Sequence, residues 1–230
     1  MNKGTLYLIP VTLGDDNISE LLPKSLPPDV IKIAQTLEHF VVETEKPARQ
    51  FLSAIKTTKP VRELTLNLLN EHTLDKDLAA LLAPLLAGKD LGLMSDAGCP
   101  GIADPGAKLV ALAHQKGIKV VPFVGPSSIL LALMASGLNG QQFAFLGYLP
   151  VDKQARAARL KEIEKRSQTY NETQIFIETP YRNQHMLEAI LSTCQPNTRL
   201  CVACDISLES EMIVTKTIAT WKKITVARFA

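Results

Sequence analysis

A loop rich in glycine and proline, residues 95–106, is the part of the chain best suited to contact a ligand. It reads SDAGCPGIADPG and follows residues 90–94, an apolar run that predicts a buried strand. Ligands of open α/β folds bind outside the carboxyl ends of such strands. Gly98 and Gly101 can adopt conformations closed to other residues, and Pro100 restricts the chain between them. We therefore expect main-chain amides and carbonyls of this loop to contact the ligand.

A second turn with the same potential is GPSS, residues 125–128, which precedes the apolar helix predicted at 129–135. The first amides of a helix are unpaired and carry a partial positive charge, so they favour a carboxylate or a phosphate. Both loops can equally be ordinary helix starts, with Asp104 as an N-cap and Pro105 in the first turn. Neither loop contains a known phosphate-binding signature.

Basic side chains recur on the helix predicted after Pro150: Lys153, Arg156, Arg159, Lys161, Lys165 and Arg166. Lys153, Arg156 and Arg159 are spaced three apart and are expected to share one face. That face could bind an anionic substrate such as RNA. The alternative is a solvated helix surface, because Glu162 and Glu164 lie among the basic residues.

Other site chemistries find little support in the sequence. Cys201 and Cys204 have C-x-x-C spacing, but they lie in a predicted strand, where residues three apart point to opposite faces. No G-x-S-x-G motif is present, and the histidines lack metal-ligand spacing: His39, His72, His114 and His185. We expect no metal site and no nucleophilic hydrolase.

The elements that would position the two loops alternate between strand and helix. Strands are predicted at 5–10, 38–42, 90–94 and 118–121, and helices at 47–55, 74–87, 104–115 and 129–135. The segment from Val11 to Leu37 is polar and rich in proline, and residues 62–69 are ambiguous between strand and helix. This alternation predicts right-handed crossovers and a largely parallel sheet.

The pattern changes in the second half of the chain. Strands are predicted at 143–148, 173–178, 200–204, 212–217 and 223–229, with helices only at 152–168 and 183–192. Strands with little helix between them indicate a mixed or antiparallel sheet. The sequence therefore predicts an α/β protein of two domains, residues 1–121 and 122–230.

Composition sets broad limits on function. The chain has 230 residues, of which 46% are hydrophobic and 21% charged, values typical of a folded globular protein. No apolar run approaches the roughly 20 residues of a membrane-spanning helix, and the start MNKG leads directly into a strand, so a cytoplasmic protein is expected. A net charge of +2 is too small to indicate a nucleic-acid partner by itself.

Four segments in the order LYLIP, SDAGCPGIADPG, PFVGPSS and FLGYLP resemble the tetrapyrrole methylase family, the class III methyltransferases. The resemblance implies two α/β domains, a mostly parallel N-terminal sheet, a mixed C-terminal sheet, and S-adenosylmethionine in a cleft between the domains. It also implies a homodimer. Within the family, the sequence is most similar to the branch that methylates the ribose 2′-OH of small-subunit rRNA.

The resemblance implies a set of cofactor-binding residues. In the first domain they are Pro10, Ala97, Gly98, Cys99, Ile102 and Ala103, and the turn just after the predicted domain boundary adds Gly125, Ser127 and Ser128. In the second domain they are Ile177, Glu178 and Thr179, with Ala203 on a strand expected to neighbour theirs.

The sequence does not identify the molecule that accepts the methyl group. The segments beginning at Val11 and Glu43 differ from the rRNA branch, and only Glu43 is plainly retained. Glu43 or Glu178 could accept the proton of a hydroxyl acceptor. Three functions remain possible: methylation of an rRNA ribose, methylation of a tetrapyrrole-like small molecule, or binding of an adenosyl ligand or RNA without catalysis. Lys153, Arg156 and Arg159 are the candidate RNA-binding residues.

Overall fold

The computed structural model describes residues 2–14 and 17–224 and divides into two compact units. One unit ends at Ser128 and the other begins at Ile129. Together they form an α/β structure with a parallel sheet in the first unit and separate strand pairs in the second.

The first unit is built on five parallel strands: β1 (Thr5–Leu8), β2 (His39–Val42), β3 (Thr65–Leu68), β4 (Leu91–Met94) and β5 (Lys119–Pro122). Their order in the sheet is β3-β2-β4-β1-β5. Every pairing is parallel, so all carboxyl ends lie at one edge. The predicted parallel sheet is confirmed, and the ambiguous segment at 62–69 contains a strand.

The helices of the first unit cover the sheet: α1 (Ile18–Ser25), α2 (Pro28–Thr36), α3 (Glu45–Ala54), α4 (Leu78–Leu81), α5 (Ala83–Leu86) and α6 (Ala107–Gln115). The central strand β4 is fully buried. A Cβ at Gly92 would lie 2.7 Å from Ile9 Cδ1 and 2.8 Å from Phe40 Cδ1, so any larger residue would force these two core side chains to shift. Close packing therefore fixes the strand that leads into the loop at 95–106.

Two helical predictions need correction, and two helices, α1 and α2, lie in the polar, proline-rich segment to which the sequence assigned no element. The helix predicted at 74–87 is instead a 3₁₀ turn followed by the short helices α4 and α5. Pro84 explains this break, because its ring lacks an N–H and would collide with the carbonyl four residues earlier.

The helix predicted to start at Asp104 begins only at Ala107, with Gly106 as its N-cap residue. Asp104 and Pro105 are therefore not its N-cap and first residue. Ala103 and Gly106 have φ angles of 65° and 137°, so the chain is still turning at these positions. The loop extends one turn further than the sequence predicted.

The second unit contains two strand pairs, one parallel and one antiparallel: β6 (Phe143–Tyr148) with β7 (Thr173–Ile177), and β8 (Arg199–Cys204) with β9 (Met212–Thr217). Its helices are α7 (Ser128–Ser136), which starts at the end of the first unit, α8 (Lys153–Tyr170), α9 (Asn183–Thr193) and α10 (Ile218–Trp221). The predicted mixture of strand directions is confirmed. Of the strand predicted at 223–229, Lys223 and Ile224 are not extended, and 225–229 lie outside the described residues.

No described helix is long and apolar enough to cross a membrane. Within residues 2–14 and 17–224, no group of three or more histidine, cysteine or acidic side chains could hold a metal ion.

Candidate functional site

Two loops of the first unit are joined by main-chain hydrogen bonds at the carboxyl edge of the sheet. The Val11 N–H donates to the Gly98 carbonyl at 2.9 Å, and the Gly98 N–H donates to the Thr12 carbonyl at 3.4 Å. The strand order places β1 directly beside β4, so the loops that follow them are neighbours. Gly98 has φ +70°, and a Cβ there would lie 3.2 Å from Leu13 Cδ2. Glycine at position 98 therefore allows the positive φ angle and also lets the two loops approach each other closely.

The turn after β5 packs onto the same edge. A Cβ at Gly125 would lie 2.2 Å from Pro10 Cγ, so the turn can contact Pro10 only because position 125 is glycine. The Cys99 thiol lies 3.3 Å from the Pro126 carbonyl and donates to it. Burial raises the pKa of the Cys99 thiol above its ordinary value. The structure thus brings Pro10, the loop at 95–106 and the turn at 125–128 together.

The surface of the first loop offers main-chain groups to a ligand. Ala97, Ile102 and Ala103 are exposed, Ile102 by 53%. Among the described residues, the amides of Ala97, Cys99 and Ala103 make no hydrogen bond. These donors are available to a bound molecule.

The charges beside the loop restrict the kind of ligand. Residues 95–106 contain Asp96 and Asp104 but no basic side chain, so a polyphosphate would be repelled. The first amides of α7, at Ser128, carry the partial positive charge of a helix N-terminus. A molecule with a cationic centre and a carboxylate would fit this distribution.

Glu43, directly after β2, is linked to the loop after β4. Its Oε2 accepts the Asp96 N–H at 3.2 Å. The Asp96 carboxylate in turn accepts the Thr44 N–H at 3.1 Å and the Thr44 hydroxyl at 2.8 Å. These contacts join residues more than fifty positions apart in the chain, and the sequence pattern assigned no role to Thr44 or to the Asp96 side chain.

Three carboxyl groups therefore lie near one another at this edge. Burial raises the pKa of Glu43, and the nearby charges of Asp104 and Asp96 raise it further, against the lowering effect of the Asp96 N–H. Burial also raises the pKa of Asp104, with Asp96 adding to it. A carboxylate whose pKa is raised binds a proton more readily than an ordinary one.

In the second unit, Glu178 at the end of β7 is held by several partners. Its side chain is 8% exposed and pairs with Arg182 at 3.0 Å. Oε1 accepts the N–H of Thr179 at 2.8 Å, and Arg182 also donates to the Leu149 carbonyl at 3.1 Å. This network fixes residues 177–179 against the chain that follows β6.

Ala203 is not on a strand adjacent to that of Ile177. It lies on β8, which pairs with β9, and its partner there is Ile213. The strand of Ile177 pairs with β6 instead. The expected neighbour relation is therefore wrong, because the second unit contains two separate strand pairs.

The basic face expected on α8 is not continuous. Arg156 is only 9% exposed, shares its side of the helix with the buried Leu160 and Ile163, and donates to the Val151 carbonyl at 3.1 Å. Lys153 is exposed, and Arg159 forms an ion pair with Glu162 at 2.7 Å. A three-residue spacing drifts around the helix by about 60° per step, which is why Arg156 faces the interior.

Comparisons with known proteins identify one family of methylases. The family profile of the tetrapyrrole (corrin/porphyrin) methylases matches residues 6–221. The ribosomal RNA small subunit methyltransferase I of Vibrio cholerae is 32% identical over 208 residues, covering 90% of this chain and 67% of that protein. The protein of the same name from Xylella fastidiosa is 32% identical over 217 residues, covering 94% of this chain and 74% of its own length.

Among solved structures, the methyltransferase CobJ matches with a TM-score of 0.62 and 15% sequence identity. The match covers 99% of this chain and 90% of CobJ. At this level of identity, the similarity concerns the fold.

Proposed function

The chain belongs to the tetrapyrrole (corrin/porphyrin) methylase family and is an S-adenosylmethionine-dependent methyltransferase, and on this premise we propose that it methylates small-subunit rRNA. The observation that carries the proposal is the similarity to the rRNA methyltransferases, which extends over 90% and 94% of the chain in the two relatives described. The acceptor atom we propose is a ribose 2′-OH. We also propose that the reaction takes place in the cytoplasm.

We propose that the methyl donor binds in the main-chain cradle of the first unit, which is formed by Pro10, the loop at 95–106 and the turn at 125–128. S-adenosylmethionine carries a sulfonium, an amine and a carboxylate, which is the combination that the charges of the cradle favour. The residues we propose there are Pro10, Ala97, Gly98, Cys99, Ile102, Ala103, Gly125, Ser127 and Ser128. When bound, the sulfonium supplies an electrophilic methyl group, and the amides of Ala97, Cys99 and Ala103 would hold and orient the molecule.

Glu43 is our candidate for the group that accepts the proton of the acceptor hydroxyl. Its raised pKa improves it as a base, because a general base works best when its pKa approaches the working pH. The Asp96 N–H holds the carboxylate in place. Glu178 is engaged by Arg182 and Thr179, so we assign it to holding residues 177–179 in place rather than to proton transfer.

For the RNA we retain Lys153 and the neighbouring Arg159 on α8 as contacts to phosphates. Arg156 is buried, so we assign it to holding Val151 and the start of the helix. Charge reversal at Lys153 should weaken RNA binding and reduce its salt dependence, since each phosphate contact releases counterions. Lys24, also at the surface but on α1, provides a matched charge-reversal control.

The direct test is methyl transfer from radiolabelled S-adenosylmethionine to purified small ribosomal subunits. We expect label in the small-subunit rRNA and 2′-O-methylated nucleosides after complete digestion. Large subunits provide the control RNA. Label in a tetrapyrrole with none in either rRNA would contradict the proposed acceptor while leaving the methyltransferase activity intact.

We also propose that the protein is a homodimer, as the family resemblance implies. Met134 on α7 is 78% exposed and Leu130 on the same helix is half exposed, so this apolar helix has surface available for a partner. Light scattering of the purified protein should give twice the chain mass. Met134→Glu should shift it toward the monomer, whereas Thr169→Glu, an exposed position on another helix, should not.

A further inference from the structure

The chain segments that leave β2 and β4 are clasped together beside Glu43. Val42 pairs with Met94 at the ends of the two strands, so the residues that follow lie side by side. Glu43 Oε2 accepts the Asp96 N–H at 3.2 Å. In return, the Asp96 carboxylate accepts the Thr44 N–H at 3.1 Å, and the Thr44 hydroxyl lies 2.9 and 2.8 Å from its two oxygens. This clasp of Glu43, Thr44 and Asp96 joins the two segments in both directions.

The Thr44 hydroxyl does not serve the helix that begins after it. Thr44 is the N-cap residue of α3, a position where a threonine side chain commonly accepts an N–H of the first turn. Its side chain makes no such capping bond. A hydroxyl carries one hydrogen to donate, and here both oxygens of Asp96 share it. The hydroxyl therefore contributes to the position of Asp96 rather than to the start of α3.

The Asp96 side chain is suited to anchor its own peptide group. Its carboxylate lies at the N-terminus of α3, whose first amides carry a partial positive charge. Hydrogen bonds to a charged acceptor are about twice as strong as those between neutral groups. Because the side chain and the N–H belong to one residue, fixing the carboxylate limits the directions in which the N–H can point. The anchor thereby controls the hydrogen bond that Glu43 receives.

Glu43 is held by one of its two oxygens. Oε2 accepts the Asp96 N–H, whereas Oε1 has no hydrogen-bond partner within residues 2–14 and 17–224. The side chain is half-buried, and Oε1 is open to solvent. Oε1 is therefore the oxygen that is available to accept a proton while the clasp prevents the carboxylate from turning.

We propose that Thr44 is a positioning residue that acts through Asp96 to hold the Glu43 carboxylate, leaving Oε1 for the acceptor hydroxyl. This inference rests on the proposed role of Glu43 as the proton acceptor. A general base works only within hydrogen-bond reach of the proton that it removes. Loosening the clasp should therefore slow methyl transfer without weakening the binding of the methyl donor.

Thr44→Val tests this role because it keeps the shape of the side chain and removes the hydroxyl. Single-turnover methylation should slow by about 3- to 10-fold, the effect of one hydrogen bond, with unchanged affinity for S-adenosylhomocysteine. Thr44→Ser retains the hydroxyl and should recover most of the rate. Thr36→Val removes a hydroxyl that donates to the Ile33 carbonyl at 2.8 Å on α2, and it should not change the rate. Thermal unfolding checks that each variant folds.

The pKa of Glu43 is a readout that a merely structural role of Thr44 would not move. The charges of Asp104 and Asp96 raise this pKa, whereas the Asp96 N–H lowers it by more than either charge raises it. Weakening that hydrogen bond should therefore raise the pKa and shift the acid limb of the methylation rate to higher pH. Carbon-13 NMR of the Glu43 carboxyl measures the pKa without any substrate, and Glu43→Gln identifies its signal.

The double variant shows whether Thr44 acts through Glu43. If it does, Thr44→Val should not slow Glu43→Gln any further. The inference is overturned if Thr44→Val leaves both the rate and the pKa of Glu43 unchanged, or if it slows Glu43→Gln as much as it slows the wild type. If the wild type does not label small-subunit rRNA, the proposed acceptor is wrong, and the titration of Glu43 alone decides whether the clasp holds its carboxylate.

Discussion

The two units hold their candidate site segments in different ways. In the first unit, loops are joined by main-chain hydrogen bonds and by glycines packed against neighbouring residues. In the second unit, a buried ion pair between Glu178 and Arg182 fixes the chain at the end of β7. Glu43 and Glu178 both directly follow a strand, yet within residues 2–14 and 17–224 only Glu178 of the two has a cationic partner. Position at a strand end therefore does not decide the role of a carboxylate; its neighbours do.

The largest effect should come from removing the carboxylate of Glu43. Glu43→Gln should slow methyl transfer by about 10²- to 10⁴-fold, the range for loss of a general base, with little change in the affinity for S-adenosylhomocysteine. Single-turnover assays and calorimetry measure the two quantities. Glu45→Gln, two residues away and exposed, provides the control. A rate within a few-fold of wild type would remove Glu43 from proton transfer.

Arg182→Met should leave Glu178 buried without its cation and lower the free energy of unfolding by about 3 kcal/mol, as measured by urea denaturation. Arg49→Met breaks the exposed pair with Glu45 and should cost less than about 1 kcal/mol. Adding Glu178→Gln to Arg182→Met should recover part of the loss. If Arg182→Met costs no more than Arg49→Met, the ion pair does not fix the end of β7.

Gly125→Ala tests the main-chain packing of the first unit. The new methyl group would overlap Pro10, so we expect a loss of about 1 to 3 kcal/mol in urea denaturation together with weaker S-adenosylhomocysteine binding. Gly140→Ala adds the same methyl group where nothing lies within 4 Å and should change stability by no more than about 0.5 kcal/mol. Equal effects of the two substitutions would contradict the packing argument.

The smallest effect should be the pH response of Asp104→Asn. A carboxyl whose pKa is raised in the folded protein supports folding at low pH, and that support is lost as the pH rises through the folded-state pKa. Removing its charge should stabilise the protein at pH 7 by less than about 1 kcal/mol, with the gain shrinking toward pH 4. The midpoints of urea denaturation at pH 7 and pH 4 measure this change in stability, and Asp77→Asn provides the exposed control.

The same substitution should shift the acid limb of the methylation rate toward lower pH. The charge of Asp104 is one cause of the raised pKa of Glu43, so its loss lowers that pKa. A pH profile of single-turnover rates tests this point. An unchanged profile would indicate that another group governs the rate.

The sequence predicted the features that local patterns control. Apolar runs located β1, β2, β4 and β5 of the first unit but left β3 ambiguous, and the turn at 125–128 opens α7 as expected. It failed where backbone conformation overrides residue preference. Asp104 and Pro105 have the chemistry of a helix start, but the positive φ at Ala103 and Gly106 delays the helix to Ala107.

Local sequence patterns could not predict the contacts between residues that are far apart in the chain. Thr44 and Asp96 are 52 residues apart, and only the adjacency of β2 and β4 brings them together. Arg156 was misplaced for a related reason, since the buried side of α8 depends on where the core lies. The three-residue spacing alone could not show that Arg156 shares this side with Leu160 and Ile163.

The Cys99 thiol has a chemical consequence for the proposed donor site. A sulfonium methyl donor is an alkylating agent, and a thiolate, not a thiol, is the reactive nucleophile. Because burial raises the pKa of Cys99, and its hydrogen bond to the Pro126 carbonyl uses the proton, the sulfur stays in its unreactive form at neutral pH. The Cys99 sulfur is thereby protected from methylation by the bound methyl donor, so the enzyme would not inactivate itself during turnover.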